Sequence, residues 1–268
     1  MTDYLALQEE AHHLAQQLFG NEVEKCASFA NRLLDICTRA QGKDFLIIHN
    51  PGGWGSTPLE HCLRWERSIV EGVSDTMERL KYSWLLIQHF RSGNSWWAHM
   101  WDIKEQARFF LKGKSFKAEV MAAELKFIAQ HINNLKVILM GVSQGAAFSN
   151  AAMRQLGDLP QVYSIELGIC YPHVSRRVVT ERTLAIDSNG LTPDLMIHRN
   201  LKARFKAFIT AFFRWFKYRL QGKPAKFTHL INLPGHEYSW EHPEVRGRIT
   251  DFLTANFGTK SNLEESLL

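Results

Sequence analysis

The sequence predicts an α/β fold, with a mostly parallel central sheet flanked by helices. Three observations carry that expectation. From residue 44 to 257, short apolar runs alternate with stretches of helical periodicity, the order that builds a parallel sheet through crossover connections. The runs are uninterrupted, as in strands covered on both faces. The third is Leu135 to Asn150, LKVILMGVSQGAAFSN, which reads as a buried strand, a tight turn holding one serine, and a small-residue helix.

The 268 residues suffice for one large α/β domain or two small ones, and at 45% hydrophobic they can fill a sizeable core. No segment reaches the roughly 18 uninterrupted apolar residues of a membrane span. The N-terminus is acidic and amphipathic and lacks the basic and apolar regions of a secretion signal. Cys26, Cys37, Cys62 and Cys170 form no C-x-x-C pair and no metal spacing, so free buried thiols and a cytoplasmic location are expected. There is no H-E-x-x-H and no paired His/Cys spacing, so neither metal nor cofactor is expected. The net charge of +5 is concentrated around residues 199–226, and those basic residues share no recognisable nucleic-acid module, so no nucleic-acid partner is expected.

Residues 1–43 read as a helical N-terminal extension, two helices broken near Gly20-Asn21, packed on a core domain spanning 44–257. Phe45 to Ile48 is the first strand. It runs into Asn50-Pro51-Gly52-Gly53-Trp54-Gly55, a turn able to point backbone N–H groups into a cleft. Pro51 has no N–H, so donors must come from Gly52, Gly53 or Trp54. Thr57-Pro58-Leu59-Glu60 has the form of a capping box opening a helix to about Lys81. Trp84 to Ile87 is the next strand. The loop after it carries Trp96, Trp97 and Trp101, which can line an apolar substrate cleft or simply pack the loop. Ser115 caps a helix whose inner face is Phe116, Val120, Ala123, Phe127 and Ile128.

In the organising stretch, Val137 to Met140 is the strand and Gly141-Val142-Ser143-Gln144-Gly145 the turn. A serine there sits in a strained conformation, and side chains two residues before and after it collide with crossing backbones. The turn exposes a hydroxyl at a helix N-terminus, near donors for a developing oxyanion. Val162 to Leu167 and Thr183 to Ile186 are further strands, the second ending in a polar turn through Asp187 and Asp194. Residues 201–220 form a basic, aromatic, amphipathic helix within an insertion at about 195–222. It reads equally as a lid, a peripheral membrane contact, a dimer face or plain packing. Phe227 to Leu233 is a strand leading into Pro234-Gly235-His236, and Pro243 starts a last helix with Val245, Ile249, Phe252 and Leu253 inward. Residues 258–268 read as a frayed polar tail.

A glycine-rich loop, G-x-S-x-G, an acidic turn and Gly-His, in that order along alternating strands and helices, resemble the α/β-hydrolase superfamily over about four-fifths of the chain. The helical N-terminus departs from its usual first hairpin, so the resemblance implies a reduced sheet. It implies Ser143 as nucleophile and His236 as base. The oxyanion hole falls to Gln144 through its backbone and to Gly52, Gly53 or Trp54. The acid often sits four residues before a proline, and counting back from Pro193 reaches Asn189. Asp187 is therefore the first choice, Asp194 the second and Glu166 the third.

The resulting expectation is a serine hydrolase that forms an acyl-enzyme with a carboxylic ester or thioester. If Trp96, Trp97 and Trp240 face the cleft, its substrate is a small ester or lipid-like molecule with an apolar acyl or aromatic group. An acyltransferase with the same triad remains open, as does a hydrolase-fold protein that only binds ligands or partners. The oligomeric state is not specified.

Overall fold

In the computed structural model, residues 2–92, 105, 107–197, 209–211, 213–214, 216–218, 220–221 and 233–258 are described. Two helices come first, α1 (Thr2–Phe19) and α2 (Val23–Ala40), separated at Gly20. In α2 the buried residues Phe29, Leu33 and Cys37, with Ala30 and Leu34, recur at three- and four-residue steps and make one apolar stripe. Then follow β1 (Phe45–Asn50), α3 (Arg64–Arg79), β2 (Trp84–Gln88), α4 (Phe116–His131), β3 (Lys136–Val142), α5 (Gln144–Leu156), β4 (Val162–Leu167), α6 (Tyr171–Val174), β5 (Thr183–Ile186) and α7 (Pro243–Phe257).

The five strands form one parallel sheet in the order β2-β1-β3-β4-β5. Along β1, Phe45 and Ile47 belong to one apolar cluster, with Ile69, Val73 and Met77 of α3 and Ile249 and Leu253 of α7. Leu46 and Ile48 belong to the other, with Leu33 of α2, Leu125 of α4 and Phe148 of α5. The strand's period of two thus feeds two cores, which is why its sequence is apolar without alternation. Each fully buried aliphatic side chain contributes about 1.5–3 kcal/mol. The N-terminal helices share the second core, through Ala11, Ala15 and the α2 stripe.

This strand order has a switch point. The chain leaves β1 toward β2 on one side, and leaves β3 toward β4 on the other. The connections after β1 and β3 run to opposite sides of that point, at the carboxyl ends of the strands, which is where open parallel sheets generally hold their ligands. Those two loops are Asn50–Gly55 and Gly141–Gly145.

Some local readings are corrected. Thr57 caps no helix: Leu59–His61 is a single 3-10 turn, and α3 starts at Arg64 with Leu63 before it. Leu59 N–H instead donates to Gln88 Oε1 at 2.8 Å, tying this connection to the end of β2. Helix α4 does begin at Ser115, whose Oγ accepts from Ala118 N. Its buried face is wider than predicted, adding Met121, Ala122, Glu124 and Leu125 while Phe116 is exposed, because it also packs on α1 and α2. The four cysteines are buried and in no disulfide. Among the described residues no helix is long and apolar enough to cross a membrane. The predicted strand from 227, apart from Leu233, lies outside the described residues, as do Trp96, Trp97 and Trp101, the tail after Gly258 and most of 201–220.

Candidate active site

Ser143 links β3 to α5 with φ 55° and ψ −113°, a left-handed conformation for a residue with a Cβ. Such strain costs about 1–3 kcal/mol and persists only where the surroundings impose it. Here Ser143 N donates to Leu167 O at 2.8 Å, and Ser143 O accepts from Ala147 N at 3.2 Å. The flanking glycines leave no room for anything larger. A Cβ on Gly141 would lie 2.5 Å from Gly145 C and O, and one on Gly145 would lie 2.1 Å from Asn50 O. The first turn of α5 is thus pressed against both its own strand and the loop after β1.

That loop is held from behind by a buried polar relay. Gly52 N donates to Glu66 Oε1 at 3.0 Å, and His49 Nε2 approaches the same oxygen at 3.1 Å. His49 Nδ1 lies 3.1 Å from Gln88 Nε2. Because Gln88 Oε1 accepts from Leu59 N, the amide NH2 faces the imidazole, so Nδ1 accepts and Nε2 carries the proton toward Glu66. Gly52, predicted as an oxyanion donor, is therefore already committed to Glu66. The other predicted loop donors, Gly53 and Trp54, do not bond Glu66.

Arg91 clamps the front of the loop. Its Nη2 donates to Gly53 O at 2.7 Å and its backbone N–H to Gly55 O at 2.9 Å. The guanidinium lies 5.4 Å from the Phe148 ring centroid, and a Cβ on Gly55 would come within 2.7 Å of it. Burial pulls its pKa down to about 10, while the nearby Cys170 and Glu66 act to raise it. Nothing in the sequence pattern singled out Arg91, since one arginine after a strand has no local signature.

His236 and its partner Asp194 come from two loops stitched together. Asn189 Oδ1 accepts from Leu191 N and Thr192 N, closing the turn after β5, and Asn189 Nδ2 donates to Glu237 O at 3.0 Å. Leu195 N donates to Pro234 O, and a Cβ on Gly235 would sit 2.2 Å from Pro193 O. This clasp brings His236 Nδ1 to 2.8 Å from Asp194 Oδ2. The same oxygen accepts from Tyr238 OH at 2.6 Å, while Asp194 Oδ1 accepts from Met196 N at 2.6 Å. Burial pushes the Asp194 carboxyl up, but the hydrogen bonds and charge it meets, chiefly from His236, outweigh that and hold it below its usual value. Burial and the adjacent Asp194 push the Tyr238 phenol far up, so it is a fixed donor.

The other two candidate acids are placed elsewhere. Asp187, the first choice, has Oδ2 2.7 Å from Arg177 Nη1. Glu166, fully buried, accepts from Asn150 Nδ2 and Ser164 Oγ and lies 3.1 Å from Arg177 Nε. Burial raises its pKa to about 7. Both carboxylates therefore brace Arg177 beneath β4, and neither meets His236. Trp240 is also placed away from the cleft: it packs on α3, where a Cβ on Gly72 would fall 2.1 Å from its ring. Trp65 takes the position beside the imidazole instead, with centroids 6.4 Å apart at 77°. Tyr238 and Trp65 went unread because only their tertiary partners distinguish them from core aromatics.

Ser143 and His236 meet the same short piece of backbone. Ser143 is bonded to Leu167, and a Cβ on the next residue, Gly168, would lie 3.0 Å from His236 Cε1 and 2.9 Å from Asp194 Oδ2. No hydrogen bond joins the serine to the imidazole in this structure. Such contacts are often long without substrate. Among the described residues there is no group of three or more His, Cys, Asp or Glu arranged to hold a metal ion. No protein-family model matches this chain, and a search of curated proteins finds no match.

Proposed function

We propose that this protein is a serine hydrolase of the α/β-hydrolase kind, acting on an ester or thioester with an apolar acyl or aromatic group. The observation that carries this reading is the conjunction of a strained, half-buried Ser143 at the switch point with an Asp194–His236 pair at the same carboxyl edge of the sheet. A serine in an ordinary βα turn needs no left-handed φ, and a structural histidine needs no buried carboxylate with three donors on it.

Asp194 takes the Nδ1 proton of His236 as a hydrogen bond, which leaves Nε2 as the acceptor. Nε2 accepts the Ser143 proton as Oγ attacks the substrate carbonyl carbon. The carbonyl oxygen becomes an oxyanion, met by the backbone N–H of Gln144 at the start of α5 and one from Gly53 or Trp54. His236 then returns its proton to the leaving oxygen or sulfur. Water, deprotonated by the same imidazole, releases the acid and restores Ser143. Trp65 against the imidazole and Trp54 on the oxyanion loop favour an apolar or aromatic group near the reacting centre.

The test is hydrolysis of a chain-length series of p-nitrophenyl esters and thioesters by the parent protein, Ser143→Ala and His236→Ala. The expected result is turnover by the parent, with each variant reduced at least about a thousandfold. Turnover that survives Ser143→Ala would overturn the assignment. Preference for acetate over longer acyl chains would overturn the apolar-substrate part alone.

A further inference from the structure

Charge is segregated along this chain. Nine of the 32 Lys and Arg residues, and none of the 27 Asp and Glu residues, lie between positions 195 and 236, so that segment carries +9 and the remainder −4. Within it the described residues from 209 to 220 are helical. At 3.6 residues per turn, Ile209, Phe213, Phe216 and Leu220 share an arc of about 60°. All four face outward, at 40%, 66%, 53% and 75% exposure. Ala211, on the opposite side, is fully buried, and Tyr218 beside it is half-buried. Among the described residues of this helix, Ala211 and Tyr218 are thus turned inward, while the apolar Ile209, Phe213, Phe216 and Leu220 are turned outward, against the usual pattern of a surface helix. Exposed Lys217 and Arg214 follow the apolar arc along one flank.

A contiguous stripe of this kind marks an interaction surface, and the charge around it selects the occupant. A second copy would set one +9 segment against another. A nucleic acid would answer the cations through its phosphates and leave the aliphatic ends of the stripe, Ile209 and Leu220, without an apolar partner. An anionic bilayer answers both features, with the apolar arc at the acyl boundary and the cations at the phosphate level. We propose that the face bearing Ile209, Phe213, Phe216 and Leu220 docks the protein on an anionic membrane surface. This does not rest on the hydrolase reading, since docking needs no turnover.

The test is flotation of the full chain with phosphatidylcholine vesicles, with and without one-third phosphatidylglycerol, at low and high salt. The parent and Ser143→Ala should float equally with the anionic vesicles at low salt and stay behind with the neutral ones. Arg214→Gln/Lys217→Gln should bind roughly 25-fold more weakly, at about fivefold per cation near an anionic leaflet. Phe213→Ser/Phe216→Ser should lose at least about tenfold through its apolar contacts. Both pairs change exposed side chains, and unchanged melting curves confirm that folding is not at issue. Failure to float with anionic vesicles would overturn the proposal. So would binding that ignores both variants, or a stable dimer that Phe213→Ser/Phe216→Ser disperses.

Discussion

Asp194→Asn separates the acid placed by the geometry from the one the spacing favoured. All three groups on the Asp194 carboxylate are donors: Met196 N, Tyr238 OH and, in the working tautomer, His236 Nδ1. An asparagine keeps one acceptor oxygen for Met196 and turns an NH2 toward the other two. His236 answers by accepting at Nδ1 and carrying its proton at Nε2, so it can no longer take the Ser143 proton. The corresponding tautomer error in serine proteases lowers kcat about 10⁴-fold, equivalent to about 5 kcal/mol of barrier. Exchanging charge-assisted for neutral hydrogen bonds at a fully buried site should also cost about 2–4 kcal/mol of stability. The assay is initial hydrolysis of an active p-nitrophenyl ester, with thermal unfolding in parallel to separate lost chemistry from lost fold. Asp187→Asn and Glu166→Gln are the comparison, since Asp187 meets Arg177, Glu166 meets Arg177, Asn150 and Ser164, and neither meets His236. Their rates should stay within about tenfold of the parent, because no transition-state contact is removed. A folded Asp194→Asn protein within tenfold of parent activity, or an Asp187→Asn protein as inactive as Ser143→Ala, would refute this reasoning.

Gly145→Ala sets a methyl 2.1 Å from Asn50 O and 2.8 Å from Pro51 O, both backbone. It should cost about 3 kcal/mol or more, lowering Tm by roughly 6–12 °C in a calorimetric scan, and an unchanged Tm would contradict the packing described. Arg91→Lys keeps the charge but loses the Nη2 hydrogen bond to Gly53 O and the planar cation over Phe148. It should lower kcat about 10–100-fold through a loosened Asn50–Gly55 loop, with the far-UV spectrum preserved. Acid should destabilise the fold in two stages, read by denaturant midpoint against pH. His89 and His173, lowered to about 3 and about 4 chiefly by burial, contribute stability above their unfolded pKa of about 6.5 and lose it as pH falls toward those values. Asp194, held low, follows below the ordinary carboxylate range. Glu166, raised to about 7, works in the opposite sense: its contribution is present below about 4.5 and fades as pH rises through 7. His89→Asn should flatten the slope between pH 6.5 and 3, and an unchanged slope would show that His89 does not titrate with unfolding.

The strand runs and the strand-to-helix turn at Ser143 were legible because their causes are local. Four apolar residues in a row can only be a doubly covered strand or a buried helix turn, and Gly141 and Gly145 mark where a Cβ would strike backbone. The strand order was not legible, because register and neighbour choice depend on which helix covers which face. Which carboxylate meets His236 was not legible for the same reason. Asp187 and Asp194 lie in one turn, and what separates them is Arg177 on one side and the Gly235 clasp on the other. Glu166 looked available because its partners Asn150 and Arg177 are distant in sequence. The Thr57 capping box failed because Leu59 N–H had a stronger claim on Gln88.

Whether Ser143 is an activated nucleophile is tested most directly by intact mass after incubation with a fluorophosphonate. The parent protein should gain one phosphonyl group, Ser143→Ala none, and Asp194→Asn should label far more slowly than Asp187→Asn. Folded parent protein that remains unlabelled, or labelling that persists in Ser143→Ala, would contradict the account.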